Sequence, residues 1–544
     1  MPLLDWLNKD SATKAAAKSA YRLLEEIPEL SYGDKDSENL IIQGDNLEAL
    51  KALLPFYAGE ARCIYIDPPF KTRQAFDNYD DNLENATWLS LIYPRIELLN
   101  QLLSTDGTFF LHLDDNQIAY AIVVCDEIFG RDNRVFLSTF KQSAASGPKA
   151  ANPGVVSTAS YIVCYAKSKN NWFSKKLFVP ADRDDRYNKF ISSKKSLGIT
   201  DGCETEEWEI CNLREQFAKY SNVDVNQLKE KYKDKYEESL HKFVLAHCDY
   251  VIRTARVADK DVGEEAKLAL ENSRKNEGKV FRADRDGKPS QYFWRGEQVA
   301  FYSSKSKTVN NVFTTVKPLT DIWDDLLSNN LHKEGDVQFK KSKKPEGLIM
   351  RVIEMSTNEG DLVLDSFLGS GTTAAVAHKM NRRYIGIEMG DHAQTHCQVR
   401  LQKVVDGEQG GISKAVNWQG GGGFRFCKLG PTVFDEFGVL NSEIKFTALA
   451  AHIWYIETRL PLGQKKRSPL IGVHNGTAYY LLYNGILGDK RPAGGNVLTG
   501  NILTMLPPFD GPKVIYGETT RLGEARLKQE NITFKQIPYD VKVL

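Results

Sequence analysis

Short apolar runs alternate along the chain with longer stretches of helical spacing. Leu40-Ile41-Ile42, Cys63-Ile64-Tyr65-Ile66, Thr108-Phe109-Phe110-Leu111-His112-Leu113, Leu362-Val363-Leu364 and Tyr384-Ile385-Gly386-Ile387 read as strands buried on both faces. Val135 to Phe140 and Tyr161 to Ala166 read as two more. Helical stretches follow at 47–54, 88–103, 117–129 and 347–356. Trp88, Leu91, Ile92, Ile96, Leu99 and Leu103 show the clearest three- and four-residue spacing. This alternation predicts an α/β protein with a mainly parallel, doubly wound sheet. Ser11 to Ile27 has the spacing of a packing helix, so 1–38 is expected to be an N-terminal helical segment.

From about Lys167 to Lys317 the rhythm is lost. The segment is rich in charge, predicts a long helix across Val223 to His247, and is long enough to be an inserted domain. It interleaves basic and aromatic residues at Tyr292-Phe293-Trp294-Arg295. Regular alternation returns near Pro345. The run Gly420 to Gly423 predicts a flexible break before a separate, small α/β module. There Val473 to Tyr480 predicts a hairpin turning at Asn475-Gly476, followed by a β-α-β pattern. The expected domains are therefore 1–38, 39–166, 167–320, 321–423 and 424–544, with 39–166 and 321–423 forming two halves of one sheet domain.

Several strands end on acids. Cys63-Ile64-Tyr65-Ile66 runs into Asp67-Pro68-Pro69-Phe70, where two prolines remove two donors, fix φ and stiffen the elbow. The carboxyl edge of an open α/β sheet is where ligands bind. A carboxylate, a carbonyl and an aromatic face at that place suit a planar ring bearing an amino group. Asp67 and the Pro68 carbonyl can accept its two N–H bonds, and Phe70 can stack on the ring. The plainer reading is an ordinary strand-to-loop turn with a capping Asp. Asp45, after Leu40-Ile41-Ile42, serves equally as a helix cap or a ligand contact. His112 reads as a satisfied core histidine.

Leu362-Val363-Leu364 leads into Asp365-Ser366-Phe367-Leu368-Gly369-Ser370-Gly371-Thr372-Thr373 and a helix. The next strand ends in Glu388, about twenty residues after the loop, the spacing for an acid that grips a ribose diol. No lysine follows the second glycine, which argues against a phosphate-binding P-loop. The shorter loop suits a nucleoside without phosphate, because glycines let the backbone approach it. His392, His396 and Cys397 read as a plain helix, and no metal site is expected.

Composition adds limits. The chain has 544 residues, 42% apolar and 26% charged, which excludes wholesale disorder and suggests about three domains. Net charge is zero, so any nucleic-acid surface must be a local patch. The eight cysteines contain no CxxC pair and read as reduced, buried thiols of a cytoplasmic protein. Neither a membrane span nor a signal peptide is expected.

The elbow and the glycine loop, in this order, resemble the β-class adenine N6-methyltransferases of DNA that use S-adenosylmethionine. The length, the insertion, Phe424-Arg425-Phe426 and the C-terminal module resemble the modification (Mod) subunits of type III restriction systems. The resemblance implies a Rossmann-like S-adenosylmethionine-dependent methyltransferase fold, with 167–320 as a target-recognition domain and 424–544 for assembly or partner docking. It implies that Asp67, Pro68, Pro69 and Phe70 form the catalytic motif acting on a flipped adenine. It also implies a cofactor pocket of Asp45, Lys344, Pro345, Asp365, Phe367, Gly369, Gly371, Thr372 and Glu388. Lys344 and Pro345 would lie near the methionine end. Three positions depart from the family pattern: Lys71 stands for the usual Asn, Phe70 for the commoner Tyr, and Ser366 for the usual Pro. The implied partners are double-stranded DNA, a second copy of the chain and a separate restriction (helicase-nuclease) subunit. Competing readings are a cytosine N4 methyltransferase, a nicotinamide oxidoreductase, and a non-catalytic sequence-specific DNA-binding subunit.

Overall fold

The computed structural model describes residues 4–69, 81–144, 154–259, 262–326, 334, 343–434, 440–441, 443–463, 467–487 and 495–541. The chain divides into two compact units, Met1–Lys175 with Thr320–Leu544, and Lys176–Leu319.

The first unit is built on one large sheet. Its strand order is Arg22–Glu26, Gly423–Thr432, Leu40–Gln43, Arg383–Glu388, Leu362–Asp365, Ala61–Ile66, Leu103–Leu113, Ala159–Ala166, Arg134–Lys141 and Ile322–Trp323. From Gly423–Thr432 to Leu103–Leu113 every pairing is parallel. Ala159–Ala166 then runs antiparallel between Leu103–Leu113 and Arg134–Lys141. The sheet is Rossmann-like and doubly wound. Ile64, Ile66, Leu364, Ile385 and Ile387 are fully buried in its core, together with Leu50, Leu53, Ile92, Ile96 and Leu99 from the helices Asn46–Tyr57 and Asp81–Leu102. From Leu362–Asp365 the chain winds outward to Arg383–Glu388. From the adjacent Ala61–Ile66 it winds the other way, to Leu103–Leu113. The winding direction therefore reverses between these two strands, the point where open α/β sheets bind ligands.

The N-terminal segment departs from the helical expectation. Helices cover Lys9–Ala12 and Ala15–Lys18 alone, and Arg22–Glu26 is a strand, antiparallel to Gly423–Thr432. The buried Lys51 ammonium donates to the carbonyls of Ala16, Ala17 and Ser19 and so closes the second helix. A partner strand some 400 residues away then outweighs the local helical spacing. The glycine run also departs from expectation. Gly420, Gly421 and Gly422 have φ of 95°, 108° and 74°, and Gly421 N–H donates to Val405 O at 2.7 Å. These left-handed conformations turn the chain back into the sheet as Gly423–Thr432. The region beyond 423 is thus continuous with the sheet: Leu462 N–H donates to Pro55 O and Tyr455 OH to Gln101 Oε1, both at 3.0 Å. Its own four-stranded sheet runs Leu470–His474, Thr477–Leu481, Lys513–Gly517, Ile532–Gln536. The hairpin turns at Asn475 and Gly476, both with positive φ, the signature of a type I′ turn.

The second unit contains a closed six-stranded barrel of Lys189–Thr200, Cys203–Asn212, Val251–Ala255, Val280–Arg285, Lys288–Trp294 and Glu297–Phe301. The long helix expected over 223–247 is broken into Leu228–Tyr232 and Tyr236–Ala246 by a tight turn at Lys233, where φ is 47°. No helix among the described residues is long and apolar enough to cross a membrane.

Ile385 sits in the middle of the parallel run with neighbours on both sides and no exposure. Ile385→Ala is expected to destabilise the first unit by about 2–5 kcal/mol, read as a lowered denaturant midpoint for that unit's transition.

Candidate active site

Five strand ends meet at the carboxyl edge around the reversal point. Each brings a polar residue, because each apolar strand stops where its chain leaves the core.

Ala61–Ile66 delivers Asp67 and Pro68. Pro69 O accepts the Trp88 indole N–H at 2.9 Å, which pins the elbow to the Asp81–Leu102 helix. Asp67 is largely buried. Its Oδ2 lies 2.9 Å from the Lys344 ammonium, whereas its Oδ1 is buried with no hydrogen-bond partner among the described residues. Burial pushes the Asp67 carboxyl above its usual range, and Lys344 opposes this by attraction and by its hydrogen bond. Phe70 and Lys71 lie outside the described residues.

Leu362–Asp365 delivers the glycine loop. Asp365 accepts from Thr373 Oγ1 at 2.6 Å and from Phe367 N–H at 2.9 Å, so its carboxylate spans and closes the loop. Burial raises its pKa to about 7; the two donors oppose that rise, while Asp67 and Glu388 add to it. Gly371 has φ of 78° and caps the helix Thr372–Lys379. A Cβ there would also come within 3.2 Å of the Cys397 backbone, so glycine is required twice over. The Thr372 hydroxyl accepts from Arg400 at 2.7 Å. Phe367 packs against the main core.

Glu388, ending Arg383–Glu388, accepts from Gly369 N–H at 2.8 Å and from Gly390 N–H at 3.2 Å. Asp45, after Leu40–Gln43, caps the Asn46–Tyr57 helix by accepting from Leu47 N–H at 2.8 Å, and it pairs with Arg95 at 3.1 Å. His112, near the end of Leu103–Leu113, is fully buried. Its ring nitrogens meet Tyr65 OH and Ser160 Oγ, each at 2.7 Å, and burial holds it neutral. It is a satisfied core histidine.

Asp45, Asp67, Asp365 and Glu388 thus gather at one edge together with the two loop glycines. Lys344 stands on Asp67, and Pro345 caps the helix Glu346–Ser356. Sequence reasoning missed the supports. Arg95 Nε donates to Asn46 Oδ1, and Asn46 Nδ2 donates to Ser366 O at 2.7 Å, which ties the glycine loop to the Asp45 turn. A lone arginine among Ile92, Tyr93 and Ile96 was the available signal, since a cation in an apolar stripe needs a buried acceptor. Glu346 was also missed. It is fully buried, 2.7 Å from Arg400 and 2.9 Å from Lys379. Burial works against its charge, but these two cations hold its pKa below the usual carboxylate range.

A DNA methylase family model matches residues 61–398, more than half of the chain. A protein of Haemophilus influenzae described as a "Probable type III restriction-modification enzyme HindVI Mod subunit" is 35% identical over 412 residues, covering 74% of this chain and 55% of that protein. The EcoP15I Mod subunit of Escherichia coli is 26% identical over 443 residues, covering 70% and 62%. The chain therefore spans little more than half the length of these relatives. Among solved structures, a DNA modification methylase of Thermus thermophilus, TTHA0409, complexed with S-adenosyl-L-methionine, aligns with 72% of this chain and 99% of that one. Its TM-score is 0.33 at 13% identity, too distant to bear on the site. With a family match that runs from the strand of the Asp67 elbow past Glu388, the chain belongs to the DNA methylase family.

Proposed function

We propose that the protein is a site-specific DNA methyltransferase that moves a methyl group from S-adenosylmethionine to the N6 amine of adenine in double-stranded DNA, as the Mod subunit of a type III restriction-modification system. The observation that carries this reading is the buried Oδ1 of Asp67, without a hydrogen-bond partner among the described residues, at the reversal point of the sheet. A buried acceptor left unpaired costs about 1–3 kcal/mol, so it asks for a donor, and an exocyclic amine supplies one.

The glycine loop fits the cofactor. Gly369 keeps the backbone open to close approach, Gly371 lets the turn pack against Cys397, Glu388 stands where a ribose diol would be held, and Asp45 stands at the neighbouring strand end. Asp365, Phe367 and Thr372 shape the loop, and Lys344 and Pro345 flank it. When bound, the cofactor would supply an electrophilic methyl carbon with a neutral thioether as its leaving group, and the surplus proton on the amine nitrogen would pass to Asp67 or to water. The protein's part is positioning. Asp67 Oδ1 and the Pro68 carbonyl accept the two N–H bonds, which favours a pyramidal nitrogen with its lone pair free. Phe70, outside the described residues, is the residue that the motif offers for stacking on the ring. Adenine must leave the duplex to reach this elbow, at a cost of a few kcal/mol that stacking and hydrogen bonding offset.

The barrel unit is the candidate reader of DNA sequence. Its surface carries cation–aromatic pairs, such as Lys194 about 5 Å from the rings of Trp208 and Phe301, and Arg295 over Trp294 at 4.5 Å. Two further copies or subunits complete the proposal: a second copy of this chain and a restriction subunit that supplies translocation and cleavage. A strict monomer on DNA by light scattering would count against the dimer.

Asp67→Ala is expected to reduce transfer of a tritiated methyl group to DNA to background while cofactor binding, measured by calorimetry, survives. Methylation retained in that variant would refute the role of Asp67. Mass spectrometry of digested product DNA is expected to show N6-methyladenine; N4-methylcytosine would redirect the reading to the other amine.

The pH dependence of cofactor binding follows from Asp365. Its pKa near 7 in the free protein is raised by burial and by neighbouring acids, and a sulfonium cation nearby favours its ionised form. Affinity should therefore rise as pH increases through about 7, with proton release on binding. Calorimetry in buffers of different ionisation enthalpy measures that release, and Asp365→Asn should abolish it.

A further inference from the structure

The two oxygens of Asp67 are in different situations. Oδ2 receives the Lys344 ammonium at 2.9 Å, and Oδ1, which is buried, has no hydrogen-bond partner among the described residues. Lys344 is itself buried, with its side chain 8% exposed. It stands immediately before Pro345, whose φ of −61° starts the helix Glu346–Ser356. The next residue, Glu346, is locked to Lys379 and Arg400. The ammonium is therefore carried at the start of an anchored helix, and it reaches the acid.

We propose that Lys344 is a positioning residue for Asp67: it holds the carboxylate through Oδ2, so that Oδ1 faces the substrate amine, and it keeps that carboxylate charged in the partly buried elbow. The proposal rests on the methyl-transfer reading. A neutral carboxyl would carry a proton on one oxygen and lose acceptor strength where the amine needs it. Four other titratable groups bear on the pair. Asp365 and Tyr65 lie close enough to interact with Asp67, Glu388 acts on Asp365, and His112 faces Lys344 and is neutral through burial. Burial raises Asp67, and Lys344 is the cation that opposes the rise. The sign follows. Without Lys344, Asp67 holds its proton to higher pH, and the acid limb of the rate profile moves upward.

The test uses the full chain with Lys344→Met and Lys344→Arg. Difference infrared titration follows the Asp67 carboxyl band, identified by its loss in Asp67→Asn. Lys344→Met is expected to move that titration upward by about one pH unit, with about a tenfold loss of methyl-transfer rate on the acid limb, while Lys344→Arg restores both. Calorimetric cofactor affinity is expected to change little in either variant. An Asp67 titration unmoved in folded Lys344→Met would overturn the proposal, above all if cofactor affinity fell instead. Lys344→Gln, which keeps the length and loses the charge, takes the place of the Met variant if that one does not fold. A wild-type protein that methylates no DNA would sink the methyl-transfer reading, and the infrared titration would still decide whether Lys344 governs Asp67.

Discussion

The whole site depends on one parallel pairing, that of Leu362–Asp365 with Ala61–Ile66, in which Val363 aligns with Cys63 and Leu364 with Ile64. Adjacent strands lie about 4.8 Å apart, so this register sets two acids, Asp365 and Asp67, at neighbouring strand ends. Some 300 residues separate the strands in sequence. Closing so long a loop costs little more than closing one of half the length, because loop entropy grows only with the logarithm of length. The packing of both faces fixes the register, since a slip by one residue would exchange Ile64 and Leu364 with Cys63 and Val363 on the opposite buried face and leave neither face fitted.

The electrostatics of that edge separate the competing functions. Asp45, Asp67, Asp365 and Glu388 converge there, while Lys344 and Arg95 supply the opposing charge. Burial together with neighbouring carboxylates holds Asp365 partly protonated near neutral pH. Such a place repels the pyrophosphate of a nicotinamide dinucleotide and favours a cationic, hydroxyl-bearing ligand. It also speaks against a binding subunit with a lapsed site. A buried acceptor without a partner among the described residues and a closely supported carboxylate are costly features, and a protein that used neither would lose nothing by replacing them.

What could be read from sequence follows from what local pattern encodes. The parallel strands were legible because burial on both faces makes them continuous apolar runs, and the acids were legible because each run stops on one. Arg22–Glu26 was not, because its structure is set by a partner strand distant in sequence. Nor was Gly423–Thr432 legible as part of the sheet, since the glycines before it signal a break and supply a left-handed turn instead. Glu346 lay hidden for a different reason: a charged residue in a first helical turn is normally solvated, and its two buried cations come from Lys379 and Arg400. The same holds for Lys344. Its place in the chain pointed to the cofactor, and its partner is visible only once the two halves of the sheet are joined.

The point at which the chain enters and leaves the barrel unit explains how chemistry and recognition can be separated. On the entry side, Lys175 N–H donates to Met355 O and its ammonium to Thr357 O, both at 2.8 Å. On the return side, Thr139 N–H donates to Asp321 O at 2.8 Å, and Ile322–Trp323 pairs with Arg134–Lys141 at the edge of the sheet. Both stems are thus fixed within the first unit by their own backbone bonds. The elbow and the glycine loop do not depend on the sequence between the stems, because every support named for them lies in the first unit. A barrel that reads DNA, as proposed, can therefore change its surface residues without moving Asp67, and the acid can keep its geometry whatever sequence is read.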